Sequence, residues 1–313
     1  MPERSRTSKA TSRAHSRMGA QLRVVRRRIR TVQSTKKITR AMELIASSRI
    51  VKAQQRVEAS RPYAIQLTAA MEDLAANAGA LSHPLLEERP NPAKAGVLVC
   101  TSDRGLAGAY SANVIKEAER VLASVRDRGL EPVLYVSGKK GAGYFRFRGV
   151  PIHEEWLGHT EVPPYEVARE IGTRLIADFA EGAFDELHCA YTDFRSAFTL
   201  RATAKRFLPI APEEVSGVAD TVPPEYLFEP EPERMLDHLL PEYLITKVYA
   251  ALLESAASEN AARRRAMKAA TDNADELMKI LTRQANRARQ DEITTEIMEI
   301  VGGAEALAAV AED

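Results

Sequence analysis

The sequence predicts an α/β chain with long helices: an antiparallel coiled coil of N- and C-terminal helices plus a central Rossmann-like α/β domain. Three observations lead there. Both ends carry apolar residues at alternating steps of three and four, the period of a coil seam. Between them, short apolar runs alternate with helical stretches, the pattern of a largely parallel sheet. Aromatics make up only 6% of the 313 residues, which suits long helices better than a sandwich core.

Hydrophobic residues at 45% and charged residues at 28% describe a folded, water-facing chain. No stretch approaches the roughly 18 consecutive apolar residues of a membrane span. Cys100 and Cys189 lie in apolar, strand-like runs without metal-ligand spacing and read as buried reduced thiols. Net charge is only +1, yet residues 1–61 hold just three acids, Glu3, Glu43 and Glu58, against many Arg and Lys. Such asymmetry points to an acidic partner.

Residues 1–17 are Arg/Ser/Thr-rich and lack the apolar face of a transit peptide. They read as a disordered basic leader, or as a misassigned stretch ahead of a start at Met18. Residues 18–78 form the N-terminal coil helix, with Leu22, Val25, Ile29, Val32, Thr35, Ile38, Met42 and Ile45 as its expected seam. Pro62 interrupts it, and an interior proline costs about 3 kcal/mol, so a kink or break is expected there, with Ser60 capping the short helix beyond it. The helical part before Pro62 is about 60 Å long at roughly 1.5 Å per residue, too long for a compact domain.

Residues 95–210 form the central α/β domain. AGVLVCTSD, EPVLYVSG, VPIHEEWLG, FDELHCAYTDF and FTLRATAKRFLPI are its strands, the last two an antiparallel edge. Helices are expected near 109–127, Tyr144–Arg148 and Tyr165–Ala180. Residues 211–232 are Pro- and acid-rich, a loop with one short strand, YLF. The C-terminal coil helix occupies 233–313, and its run from Pro241 would be roughly 105 Å long. Its expected seam includes Ile293, Ile297, Ile300, Ala304 and Leu307. Ala261, Ala262, Ala270, Ala274, Gly302 and Gly303 suggest close backbone approach to the partner helix, since an interior Gly otherwise costs about 1 kcal/mol.

Candidate chemistry is thin. SDRGLAGAY (Ser102–Tyr110) follows a strand and opens a helix, where a phosphate loop would sit, but its glycines miss the dinucleotide spacing. SGKKGAG (Ser137–Gly143) lacks the order of a P-loop. The six His are scattered, and no Ser or Cys has a nucleophile setting. No cofactor or metal is therefore expected. The basic run Arg26–Arg30 and Lys36–Arg40 admits phosphate binding, but no aromatic precedes Tyr63 to stack a base. A protein-facing basic band and a solvated face are the other readings.

Three blocks together carry a resemblance. LRVVRRRIRTVQSTKKITRAMELIASSRIVKAQ, SDRGLAGAYSANVIK and SENAARRRAMKAATDNADELMKILTRQANRARQDEITTEIMEIVGGAEAL resemble the first helix, the central domain and the last helix of the F-type ATP synthase gamma subunit family. The likeness runs from Met18 to the end. It implies a central-stalk rotor without a catalytic site, coupling rotation of the c ring to ATP synthesis on the beta subunits. The implied partners are the hexamer of alpha and beta subunits, the epsilon subunit and the c ring, with no nucleic acid and no membrane insertion.

Residue by residue, the resemblance assigns beta-subunit contact to Met42, Arg263, Gln290, Thr294 and Glu296, and c-ring or epsilon contact to Tyr226 and Glu229. It implies a peripheral position on the cytoplasmic side of a bacterial cell membrane, with the matrix side of the mitochondrial inner membrane as the alternative. Two other classes stay open on the residues alone. A nucleic-acid-binding coiled coil rests on the basic helix, and an α/β enzyme rests on the Gly-rich turn.

Overall fold

The computed structural model describes residues 4–77, 83–194, 196, 199–211 and 232–311. It divides into two compact units, residues 44–266 and residues 1–43 with 267–313. Two long helices, α1 (Arg4–Asn77) and α5 (Pro232–Ala311), contribute to both.

The larger unit is built on a five-stranded sheet of β1 (Lys94–Cys100), β2 (Glu131–Ser137), β3 (Glu154–Trp156), β4 (Glu186–Phe194) and β5 (Leu200–Leu208). The strand order is β3-β2-β1-β4-β5. The first four strands are parallel and β5 closes the edge antiparallel to β4, as expected. Side-chain alternation along β1 divides the core in two. Val97 and Val99 face α2 (Tyr110–Asp127) and α3 (Lys139–Phe147). Leu98 and Cys100 face α4 (Tyr165–Ala180), Met71 and Leu74 of α1, and Leu236 to Leu252 of α5. Cys189 lies on this second face too, so both thiols are free and buried.

Three local expectations are corrected. Helix α3 spans Lys139–Phe147 and begins five residues earlier than the aromatic cluster suggested, because Gly138 at φ 103° starts it directly from β2. Strand β3 keeps only Glu154–Trp156 of the longer run. Helix α1 continues through Pro62, and Ser60 bonds the Val57 carbonyl at 2.9 Å instead of capping a new helix. Ile50 and Ala53 before the proline and Leu67, Met71 and Leu74 after it are all buried. Burying a large apolar side chain yields about 1.5–3 kcal/mol, so these together outweigh the proline's cost. Helix α5 likewise starts at Pro232 and absorbs Pro241 between buried Leu240 and Leu244.

The smaller unit is an antiparallel helix pair. Helix α1 starts at Arg4, inside the stretch read as a disordered leader, because helix extension adds residues far more cheaply than nucleation. The seam on α1 is Leu22, Val25, Ile29, Val32, Lys36, Thr39 and Glu43, all buried or half-buried. On α5 the matching set, Met267, Thr271, Ala274, Met278, Leu281, Ala285 and Ala288, is likewise buried or half-buried. Both sets keep a strict seven-residue repeat.

This corrects the expected seam in its second half. Thr35, Ile38 and Ile45 are exposed and Met42 is only half-buried. Following hydrophobicity steps off the repeat after Val32, where the seam turns polar. Lys36 pairs with Asp275, and the Thr39 and Thr271 hydroxyls meet at 2.8 Å. Ile293, Ile297 and Ile300 are exposed too, while Glu292 and Thr295 take the inward positions. At Gly302 and Gly303 no close approach is found among the described residues, a Cβ at either meeting nothing within 4 Å.

The polar layer carries a first prediction. Each hydroxyl also lies within reach of a carbonyl of its own helix, Thr39 of Lys36 at 3.1 Å and Thr271 of Met267 at 2.9 Å, so one threonine donates across the pair and the other to its own helix. Thr39→Val alone is expected to cost about 1 kcal/mol, and Thr39→Val with Thr271→Val less than the sum of the singles. Thermal melts of the four chains in a double-mutant cycle measure the coupling; strict additivity would refute a direct bond between the hydroxyls.

Candidate functional site

Ligands of doubly wound sheets bind beyond the carboxyl ends of the strands, where the strand order reverses. In the order β3-β2-β1-β4-β5 that reversal lies between β1 and β4, where a cavity of about 200 Å³ is lined by Ala107, Tyr110, Thr192, Leu200 and Ala262. Over β1 and β2 the edge is filled by the chain itself. Asp103, just after β1, accepts three backbone N–H groups: Lys139 at 3.1 Å, Gly158 at 2.9 Å and Thr160 at 3.1 Å. Its own N–H donates to Thr160 Oγ1 at 2.9 Å. A bound anion would need the same donors at the start of α3. Burial pushes the Asp103 carboxyl up, but the three donors more than offset it and hold it below the usual carboxylate range.

The adjoining turns leave no room. Thr101 Oγ1 accepts the Gly141 N–H at 2.9 Å and donates to the Ser137 carbonyl at 3.1 Å. A Cβ at Gly138 would stand 2.4 Å from the Thr101 carbonyl oxygen, and one at Gly141 2.8 Å from Thr101 Oγ1. Gly138 and Gly141 of SGKKGAG therefore serve close packing of two turns, while a Cβ at Gly143 would meet nothing within 4 Å. His159 Nε2 lies 3.1 Å from Ser137 Oγ beside this edge. Burial, only partly opposed by Asp103, lowers its pKa.

From here a buried ionic node reaches α5. Arg263 donates to Glu259 Oε1 at 2.6 Å and lies 3.5 Å from Glu161 and 3.4 Å from the Gly105 carbonyl. Glu161 also meets Arg49 of α1 at 2.6 Å and Arg104 at 3.3 Å. Glu259 is fully enclosed, and burial raises its pKa despite Arg263. The resemblance assigns Arg263 to beta-subunit contact, and within this chain its side chain is turned inward. The residue is only 4% exposed, and its guanidinium is spent on joining α5 to the Gly-rich turn.

The remaining predicted site residues separate. Gln290, Thr294 and Glu296 are exposed on α5, Thr294 bonding back to the Gln290 carbonyl at 2.9 Å. Gln290, Ile293, Thr294, Ile297 and Val301 follow helical spacing along one stripe, turned away from the inward Glu292 and Thr295. On α1, Met42 sits beside exposed Ile38, at 58%. Arg23, Arg26, Arg27, Arg28, Arg30 and Lys37 are exposed and have no ion pair among the described residues. Tyr226, Glu229 and the expected YLF strand lie outside the described residues. No helix among the described residues is long and apolar enough to cross a membrane.

The helix pair carries exposed apolar side chains, Ile38, Ile293 and Ile297 among them. The family profile described as ATP synthase matches residues 21–307. The ATP synthase gamma chain of Thermobifida fusca is 56% identical over 300 residues, covering 93% of this chain and 98% of that protein. The chain belongs to the ATP synthase gamma family.

The gamma chain of Mycolicibacterium smegmatis is 54% identical over 305 residues, covering 93% of this chain and 99% of that one. A chain of the Euglena gracilis mitochondrial ATP synthase shares the fold, with a TM-score of 0.65 at 17% identity over 94% of this chain and 97% of its own. A central-stalk or c-ring chain of the Tetrahymena thermophila mitochondrial ATP synthase covers 74% of this chain and 99% of its own, with a TM-score of 0.55 at 23% identity. The gamma family match takes in all three resembling blocks and begins after the basic leader. Sequence reasoning missed Asp103, Thr160, Glu161 and Glu259. Only Glu259 left a signal, four residues before Arg263 on a helix and so on the same face.

Proposed function

We propose that the chain is the central-stalk rotor subunit of a proton-translocating F-type ATP synthase, coupling rotation of a c ring to ATP synthesis on beta subunits. Its partners are the hexamer of alpha and beta subunits, the epsilon subunit and the c ring. It lies on the cytoplasmic side of the cell membrane, a position supported by the bacterial relatives. ATP chemistry belongs to its partners, and this chain has no catalytic site of its own.

The observation that carries the reading, beside family membership, is the uncovered stripe on α5. Ile297 and Ile300 are 55% and 71% exposed on a helix whose inward positions are already filled. An apolar stripe left over after pairing expects a surrounding sleeve. The exposed arginines from Arg23 to Arg30 suit acidic loops of that sleeve, which steer by charge without fixing one angle. Met42, Gln290, Thr294 and Glu296 are proposed to meet beta, and Tyr226 and Glu229 the foot contacts. Torque requires that the helix pair not slip, and the polar layers at Lys36–Asp275 and Thr39–Thr271 specify its register.

A pull-down of the tagged chain from a detergent extract is expected to recover alpha, beta, epsilon and c subunits; a chain recovered without them would overturn the proposal. Met42→Lys is expected to lower proton pumping per ATP hydrolysed severalfold while leaving assembly intact, because a charge enters a half-apolar contact. Membrane vesicles that pump with unchanged coupling would remove Met42 from the contact surface.

A further inference from the structure

On the outer face of the α/β unit, α2 and α3 enclose a groove of about 520 Å³. Its floor is Leu122, Phe145 and Val150, and its rim includes Arg126 and Arg148. Phe147, the last residue of α3, stands beside it 89% exposed, the most exposed large apolar side chain among the described residues. The neighbouring charges are mostly internally paired: Arg120 with Glu117, Arg128 with Glu186 and Arg146 with Glu155. Tyr144 donates to Glu119 at 2.6 Å, bridging the two helices and fixing the groove's width. Arg126 and Arg148 have no such partner among the described residues and are exposed at the groove.

We propose that this groove docks an acidic segment of another polypeptide, one that offers two carboxylates to Arg126 and Arg148 and an apolar side chain to Phe147. Exposed aromatic and Arg side chains around a small apolar floor are the composition of an interface centre. Charge complementarity selects the occupant. The guanidiniums of Arg126 in α2 and of Arg148, the residue capping the end of α3, match paired carboxylates on a helix turn or strand, and each is a planar fork suited to bidentate contact. The surface shares no residue with the stripes of α1 and α5, so the segment it takes is distinct from the sleeve proposed above.

The test places a photo-crosslinker in the full chain inside cells, as Phe147→benzoylphenylalanine, and maps adducts by mass spectrometry. The expected adduct lies on a protein segment with two carboxylates beside an apolar residue. Arg126→Glu with Arg148→Glu is expected to reduce its yield about tenfold, and exchanging the two carboxylates for lysine to restore it. The absence of a protein adduct, or a yield indifferent to the charge reversal, would overturn the proposal. An adduct on phospholipid, with Arg-dependent flotation of the full chain on phosphatidylglycerol vesicles, would overturn it in favour of a membrane surface. All three residues are exposed, so these variants fold as the parent does.

Discussion

Arg263→Leu is expected to destabilise the chain by about 3–5 kcal/mol, the cost of stranding a buried charge by removing its partner. Glu259 is fully enclosed and takes its ion pair from Arg263 at 2.6 Å, while Glu161 loses one of three cations. For a unit of this size that corresponds to a fall in melting temperature on the order of 10 °C. Glu259 already has a raised pKa from burial, so the variant is expected to bind a proton there and recover part of the loss on acidification.

Arg263→Leu with Glu259→Leu is expected to regain most of the stability, since two apolar side chains replace a pair whose desolvation was costly. Melting of the three chains at neutral pH decides it. An Arg263→Leu chain that melts with the parent would show that the node contributes nothing to joining α5 to the Gly-rich turn.

The central domain was legible because the runs of β1 and β2 are apolar and bounded by turn residues, and the strand–helix alternation leaves few topologies. The coil was legible in existence but misread in detail. From Lys36 to Glu43 the inward positions are Lys, Thr and Glu, while Ile38 and Ile45 stand outside, so hydrophobicity pointed to the outer face. That inversion is itself informative: an isolated coil would not place Ile38 and Ile297 in water. The inward turn of Arg263 was hidden for a related reason. A resemblance gives a residue's height on the helix but not its direction, and here Glu161, between β3 and α4, turns the guanidinium inward. Asp103 was hidden for another reason. In a turn of Ser, Asp, Arg and Gly, an acid reads as solvated, and only the fold brings the amides of Lys139, Gly158 and Thr160 to it.

Removing that acid should lower stability by about 2–3 kcal/mol in Asp103→Ala, because one charged acceptor holds three loops and water can replace only part of it. The pH dependence separates this anchor from simple packing. Asp103 has a native pKa below its ordinary 3.8, so its contribution is complete above that value and disappears as pH falls through the native one. His159 acts in a different window. Burial lowers its native pKa below 6.5, so stability is complete above 6.5 and is lost as pH falls from there toward the native value. The Asp103 carboxylate opposes that lowering. Without it, His159 resists protonation more strongly, and Asp103→Ala is expected to lose more stability than the parent between about pH 6.5 and 5. Denaturant unfolding of both chains at about pH 7.5, 6 and 5 measures the difference. Curves that stay parallel across that range would mean that Asp103 does not act on His159 as an ionised neighbour.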